Sequence, residues 1–179
     1  MTKLKINGIE YPLADGFLIN KKYNEELDSA TITIPFSDKL NLSPFDFVEI
    51  TDSRFGTEYF VVDTWVETTV SFNPLKYNYD INLVSETIKL QKVVMPNLTI
   101  THPIRKTAKA IKTKLEEYAR TYIYPQFNEL ELDETIYDLI QDCPEEEFNR
   151  PTAFEVFNTL LGKVNSVVSI KNHKIGYIR

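Results

Sequence analysis

Few residues in this chain are of a type that does chemistry, and those few are scattered. Its 179 residues include two histidines, His102 and His173, and one cysteine, Cys143. A zinc site draws together several His or Cys ligands, and neither histidine has the other, or the cysteine, near it in sequence. Each reads as a surface or turn histidine. Cys143 precedes a proline beside an apolar stretch. As a nucleophile it would need a histidine brought from elsewhere in the fold, so it reads as a half-buried structural thiol. The acidic run Glu145-Glu146-Glu147, with Asp142 upstream, lacks the spaced acids and the glycine of a calcium loop. It reads as a solvated loop. No two of the five glycines, Gly8, Gly16, Gly56, Gly162 and Gly176, are close enough to cradle a phosphate. Tyr118, Tyr122, Tyr124 and Phe127 are the right type to stack on sugars or bases, but their helical spacing and adjoining proline assign them to packing. The inventory therefore assigns no catalytic, cofactor-binding or metal-ligating residue, and the expectation is a non-enzymatic protein without a cofactor.

Composition narrows the class. An apolar fraction of 42% with 12% aromatics is enough for a core and argues against disorder. Acids outnumber bases 26 to 20, for a net charge of −6. A protein that grips nucleic acid by its phosphates carries a basic patch. Here the basic residues are Arg105-Lys106 and the lysines Lys109, Lys112 and Lys114, interleaved along a helix as a solvated face. A single cysteine excludes an intramolecular disulfide and fits a reducing compartment. Met1-Thr2-Lys3 leads into a strand rather than a signal peptide, and no apolar run approaches the roughly 20 residues of a membrane span.

The elements that would position any site fall into two halves. The first hundred residues alternate with period two, as strands do. Leu4 and Ile6 share one phase, and Ile9, Tyr11 and Leu13 the other, around an Asn7-Gly8 hairpin turn. Ala30, Ile32, Ile34 and Phe36 point inward. Residues 45–51 form another strand. In the long strand 58–70, Tyr59, Val61 and Trp65 occupy one face and Phe60, Val62, Val66 and Val70 the other. Tyr77, Tyr79, Ile81 and Leu83 form one wall of a half-buried sheet. Short turns and no long helix indicate an antiparallel barrel or sandwich. After Pro103 the period becomes helical: Ile104, Ala108, Ile111, Leu115, Tyr118, Ala119 and Tyr122. Asp133 caps a short helix through Ile136, Leu139 and Ile140. Thr152 and Glu155 match a capping box ahead of a stripe of Phe154, Phe157, Leu160, Leu161 and Val164. A hairpin around Asn172-His173 follows. The expected class is α+β, with a β-barrel or sandwich over residues 1–100 and a smaller α/β domain over 101–179. Because the chain stops inside its last strand, that strand is expected to present an open edge and the chain to be the front part of a longer protein.

Two blocks carry a family resemblance. One is Tyr79-Asp80-Ile81-Asn82-Leu83-Val84-Ser85-Glu86-Thr87 running into Met95-Pro96-Asn97-Leu98-Thr99-Ile100-Thr101. The other is Cys143-Pro144-Glu145, then Asn149-Arg150-Pro151-Thr152 with its helix and closing hairpin. In order and spacing they resemble the front half of the tail-hub proteins of bacteriophages and prophages of Gram-positive hosts, the tail-associated lysin or prophage endopeptidase tail family. The resemblance implies a tail-tube-like barrel followed by an α/β domain. It implies a structural subunit of the tail tip or baseplate hub, located in the virion tail tip after synthesis in the host cytoplasm. It also implies a homotrimeric ring that contacts the distal tail protein and the tape-measure protein and passes DNA without specific binding. The family's lytic activity sits in a C-terminal extension, so no catalytic residue is carried over. A cell-wall-binding or cell-wall-degrading module is the alternative that the aromatic content and the lysin association suggest.

Overall fold

The structure, a computed structural model, describes residues 2–21, 27–100, 115–136 and 146–178, with backbone alone for 98–100 and 146. His102, Asp142, Cys143 and Glu145 lie outside the described residues, as do the basic residues from Arg105 to Lys114. The chain divides into two compact units, Met1–Glu86 and Thr87–Arg179. Residues 87–100 therefore belong with the second unit, and Leu90, Val93 and Met95 lie in its core.

The first unit is one seven-stranded antiparallel sheet. Its strands are β1 (Lys3–Ile6), β2 (Ile9–Tyr11), β3 (Leu18–Asn20), β4 (Ser29–Ser37), β5 (Phe47–Asp52), β6 (Gly56–Phe72) and β7 (Leu75–Val84), in the order β2-β1-β5-β6-β7-β4-β3. Asn7 (φ 49°) and Gly8 (φ 82°) make the tight turn between β1 and β2. Both central positions of that turn demand positive φ, which Asn tolerates and Gly adopts freely.

β6 has two partners in succession. Residues 56–61 pair with β5 on one side, and residues 61–72 pair with β7 on the other. A register shift between Val62 and Thr64 marks the changeover. An extra residue in one strand bends it and raises its twist. The sheet thereby becomes two layers, β2-β1-β5-β6 and β6-β7-β4-β3, with β6 common to both. Leu4, Ile6, Val48, Ile50, Phe60 and Val62 of one layer meet Ala30, Ile32, Ile34, Tyr79, Ile81 and Leu83 of the other in one core.

The sheet is not a closed barrel: among the described residues no backbone ladder joins β2 to β3. Side chains close the far side instead. Phe17, just before β3, meets Phe55 of the β5–β6 turn edge to face (centroids 6.2 Å, 73°), and Arg54 stacks over Phe17 at 6.0 Å. Lys21 pairs with Glu58. Arg54 is itself held by Asp52, which accepts its backbone N–H (2.9 Å) and its Nε (2.7 Å) and also the hydroxyl of Thr2.

The bulges correct two expected faces. The shift at Val62/Thr64 returns Trp65 to the core side with Phe60 and Val62, while Val66 stays exposed. In β4 the register slips between Ile34 and Ser37, and Phe36 takes φ 48°. Phe36 is consequently 60% exposed rather than inward, and its N–H donates to Asn78 Oδ1 at 2.8 Å.

The second unit packs α2 (Ala153–Gly162) on the hairpin β11 (Val167–Lys171) and β12 (Lys174–Ile178), with β9 (Glu131–Leu132) beside it. The helix α1 (Ile88–Lys92), the pair β8 (Leu98–Ile100) and β10 (Glu146–Phe148), and a π-helical turn Ala119–Ile123 complete the described elements. The capping box is formed. Glu155 N–H donates to Thr152 Oγ1 (3.2 Å), and Thr152 N–H donates to Glu155 Oε2 (2.6 Å). Asn172 (φ 49°) and His173 (φ 65°) make the β11–β12 turn. The last strand is not an edge: β12 is central, antiparallel to β11 and parallel to β9. Sequence pattern missed β9 because it is two residues long, and its pairing joins residues more than forty positions apart.

Two outcomes test these assignments. Thr152→Ala removes one half of the capping box and should destabilise the second unit by about 1 kcal/mol, read from urea unfolding. Arg54, and next Thr2, hold the Asp52 carboxyl well below the usual carboxylate range. A lowered native pKa gives stability that is complete above the unfolded value, near 3.9, and is lost as pH falls through the native one. Asp52→Asn should therefore be less stable than the native chain at pH 7, and the gap should narrow steadily below about pH 4. A gap independent of pH would show that the carboxylate charge plays no part.

Candidate interaction surface

Because β6 exchanges partners midway, half of it is left with an open side. From Asp63 to Phe72 the strand pairs with β7 alone. Among the described residues no other backbone hydrogen bond reaches it; the nearest, between Val62 and the Phe45–Asp46 backbone, stop one residue short. Ten residues at about 3.3 Å each give an unpaired edge of roughly 33 Å. Natural sheets blunt such edges with short strands, charges or prolines. This one carries Thr64, Trp65, Val66, Thr68, Thr69, Val70 and Phe72, mostly the β-branched and aromatic types that favour strands.

The surface around the edge is apolar in the same region. Phe72 is 85% exposed and Val66 61%, and Val70 and Leu75 are also exposed. Phe72 and Leu75 are directly paired at the end of the hairpin, joined through the cis Asn73–Pro74 bond. The outward face of the adjoining strands is polar and internally bonded. Thr33 donates to Asp80 (2.6 Å), and Asn82 donates to Thr64 Oγ1 (3.0 Å).

The inner side of the hairpin is held in place by one cluster. Tyr79 is fully buried; its hydroxyl donates to Glu67 Oε2 at 2.8 Å and accepts the Leu40 N–H at 2.9 Å. Lys39 also binds Glu67 and lies 5.1 Å over the Tyr77 ring. The Lys39 hydrogen bond, followed by that of Tyr79, lowers the Glu67 pKa; burial raises that of Tyr79. The carboxylate, the phenol and the ammonium thus keep fixed charge states near neutral pH and tie the loop after β4 to the hairpin.

Among the described residues, those singled out for chemistry do not converge. His173 is a turn residue whose carbonyl accepts the Glu131 N–H at 3.0 Å. Tyr118, Tyr122, Tyr124 and Phe127 pack against the second unit's core, and the Tyr124 hydroxyl accepts the Leu132 N–H at 3.2 Å. Glu147 lies in β10, opposite Thr99. Among the described residues no three His, Cys, Asp or Glu side chains gather into a metal-binding group. Also among them, no helix is long and apolar enough to cross a membrane. Sequence reasoning missed the open edge, because the alternation of a strand reports which face is covered and not whether its edge is paired.

The arrangement of elements is shared with solved tail proteins. One from Neisseria meningitidis MC58 superposes with a TM-score of 0.61 at 14% identity, over 98% of this chain and 49% of its own. The 43 kDa tail protein of prophage MuSo2 from Shewanella oneidensis superposes with a TM-score of 0.57 at 13% identity, over 99% and 52%. This chain thus spans about half the length of each. No family model matches the sequence, and no curated protein matches it. At these identities the likeness is one of fold.

Proposed function

We propose that the chain is a structural subunit of a phage or prophage tail, placed in the hub at the tail tip, where it closes the tube and joins the distal tail protein. The observation that carries the reading is a fold matched along nearly the whole chain by two tail proteins. The open edge of β6 adds to it. An unpaired strand of this length with apolar neighbours is a template for strand addition, and a contact that is not self-complementary repeats into a ring when its rotation closes. On this reading three copies form the ring, the tape-measure protein lies within it, and DNA passes without being held. The net charge of −6 suits a conduit that must not retain phosphates. The chain itself performs no catalysis.

Light scattering across a concentration series tests the assembly. A trimer, even a weak one, is the expected mass. Val66→Lys with Val70→Lys places two cations beside the open edge and should weaken association at least about tenfold, with the circular dichroism of the native chain retained. The single tryptophan, Trp65, sits on that strand, so its emission should shift with concentration in the native chain and not in the variant. A monomer here and in the longest natural version would overturn the ring. Release or co-sedimentation of Gram-positive cell-wall material would point to a wall-binding module instead.

A further inference from the structure

We infer that Asn7 is a deamidation site that the folded first unit holds closed. No other asparagine in the chain precedes a glycine. In such a pair the backbone nitrogen of the glycine attacks the asparagine Cγ. The new N–Cγ bond forms, the Cγ–Nδ2 bond breaks, and Nδ2 leaves as ammonia with the proton given up by the glycine nitrogen. Water then opens the resulting five-membered imide at either carbonyl, leaving aspartate or isoaspartate at position 7. Nothing on the glycine side resists this: Asn7 and Gly8 are both exposed, and a Cβ added at Gly8 would meet nothing within 4 Å.

What closes the site is the grip on the carboxamide. Asn7 extends the β1–β5 ladder by one place: its N–H donates to the Phe47 carbonyl (2.8 Å), and the Phe47 N–H donates to Asn7 Oδ1 (2.9 Å). Asn7 Nδ2 donates to Asp46 Oδ1 (2.9 Å), and the other Asp46 oxygen accepts the Ser43 N–H (2.7 Å). Asp46 is fastened in turn through its backbone carbonyl, which accepts the Val62 N–H at 2.9 Å. Ring closure must bring Cγ face-on to the Gly8 nitrogen. A carboxamide held at both ends cannot turn to present that face until both bonds break, which slows the reaction by about tenfold or more. The product cannot restore the grip. A carboxylate at position 7 has no N–H to give Asp46 and meets a like charge there. Isoaspartate lengthens the backbone within a turn built on φ values of 49° and 82°. The site therefore converts an opening of the β1–β5 corner into a permanent change, and it is independent of the assembly reading.

The full chain is incubated at mildly alkaline pH, folded or in guanidinium chloride, and the peptide bearing position 7 is followed by mass. The amide-to-acid mass gain should accumulate at least about tenfold faster in the denaturant than in the folded chain. Asp46→Ala, with the circular dichroism of the native chain retained, should move the folded rate toward the denatured one. Asn7→Asp, which mimics one product, should unfold at lower urea than the native chain at neutral pH. Equal rates in the folded and denatured native chain would overturn the inference, whether or not the variants fold. A folded Asp46→Ala variant that reacts at the native rate or slower would overturn the part given to Asp46. An unchanged urea midpoint for Asn7→Asp would show that the product fits the turn as well as asparagine does, and would overturn the permanence of the change.

Discussion

The first unit depends on one strand belonging to two layers. If β6 ran straight and kept a single register, the apolar faces of β1–β5 and of β4–β7 would lie in one plane and both would be open to water. The shift at Val62/Thr64 lets the same strand turn the corner, so the two faces close on each other. Val61 and Val62 are both fully buried at that corner, where the strand is covered on both faces. The features around it follow. Among the described residues the layers meet without a seventh ladder, and side chains such as Phe17, Phe55 and Arg54 pack on the side that backbone leaves open. The second half of β6, having left β5, has no backbone partner on that side among the described residues.

The second unit solves a different problem with local devices. Its core is built from α2, the β11–β12 hairpin and short pieces contributed from far along the chain. Lys89, only 2% exposed, is neutralised by Glu129 at 2.6 Å and lies 5.7 Å from the Phe127 ring. Burial alone would raise the Glu129 pKa, yet the hydrogen bond from Lys89 leaves it lowered. Such a pair tends to fix how segments fit more than it adds to net stability. Here it ties α1 to the stretch that leads into β9.

What was legible in the sequence was whatever local chemistry dictates. Asn7-Gly8, Asn172-His173 and the Thr152–Glu155 box each act within four residues, and each formed as read. The wall of Tyr79, Ile81 and Leu83 was legible because an uninterrupted alternation has one meaning. The misread positions sit where one residue changes the phase. Phe36 sits within a bulge and Trp65 follows one, and a bulge leaves no mark in a pattern of apolar and polar residues. The parallel pairing of β9 with β12 depends on a distant partner, as does the openness of the sheet. No residue type announced the unpaired edge, because strand-favouring side chains look the same with or without a neighbour.

The tie among Tyr79, Glu67 and Lys39 has a consequence for how fast a partner could be accepted. Residues 63–72 already have strand geometry, imposed by β7, and the loop after β4 is fastened beneath them by the Tyr79 hydroxyl. A chain adding to this edge would meet a rigid template, with the backbone entropy already surrendered during folding. Encounter would then be limited by orientation rather than by rearrangement, and differences among variants would be expressed in residence time.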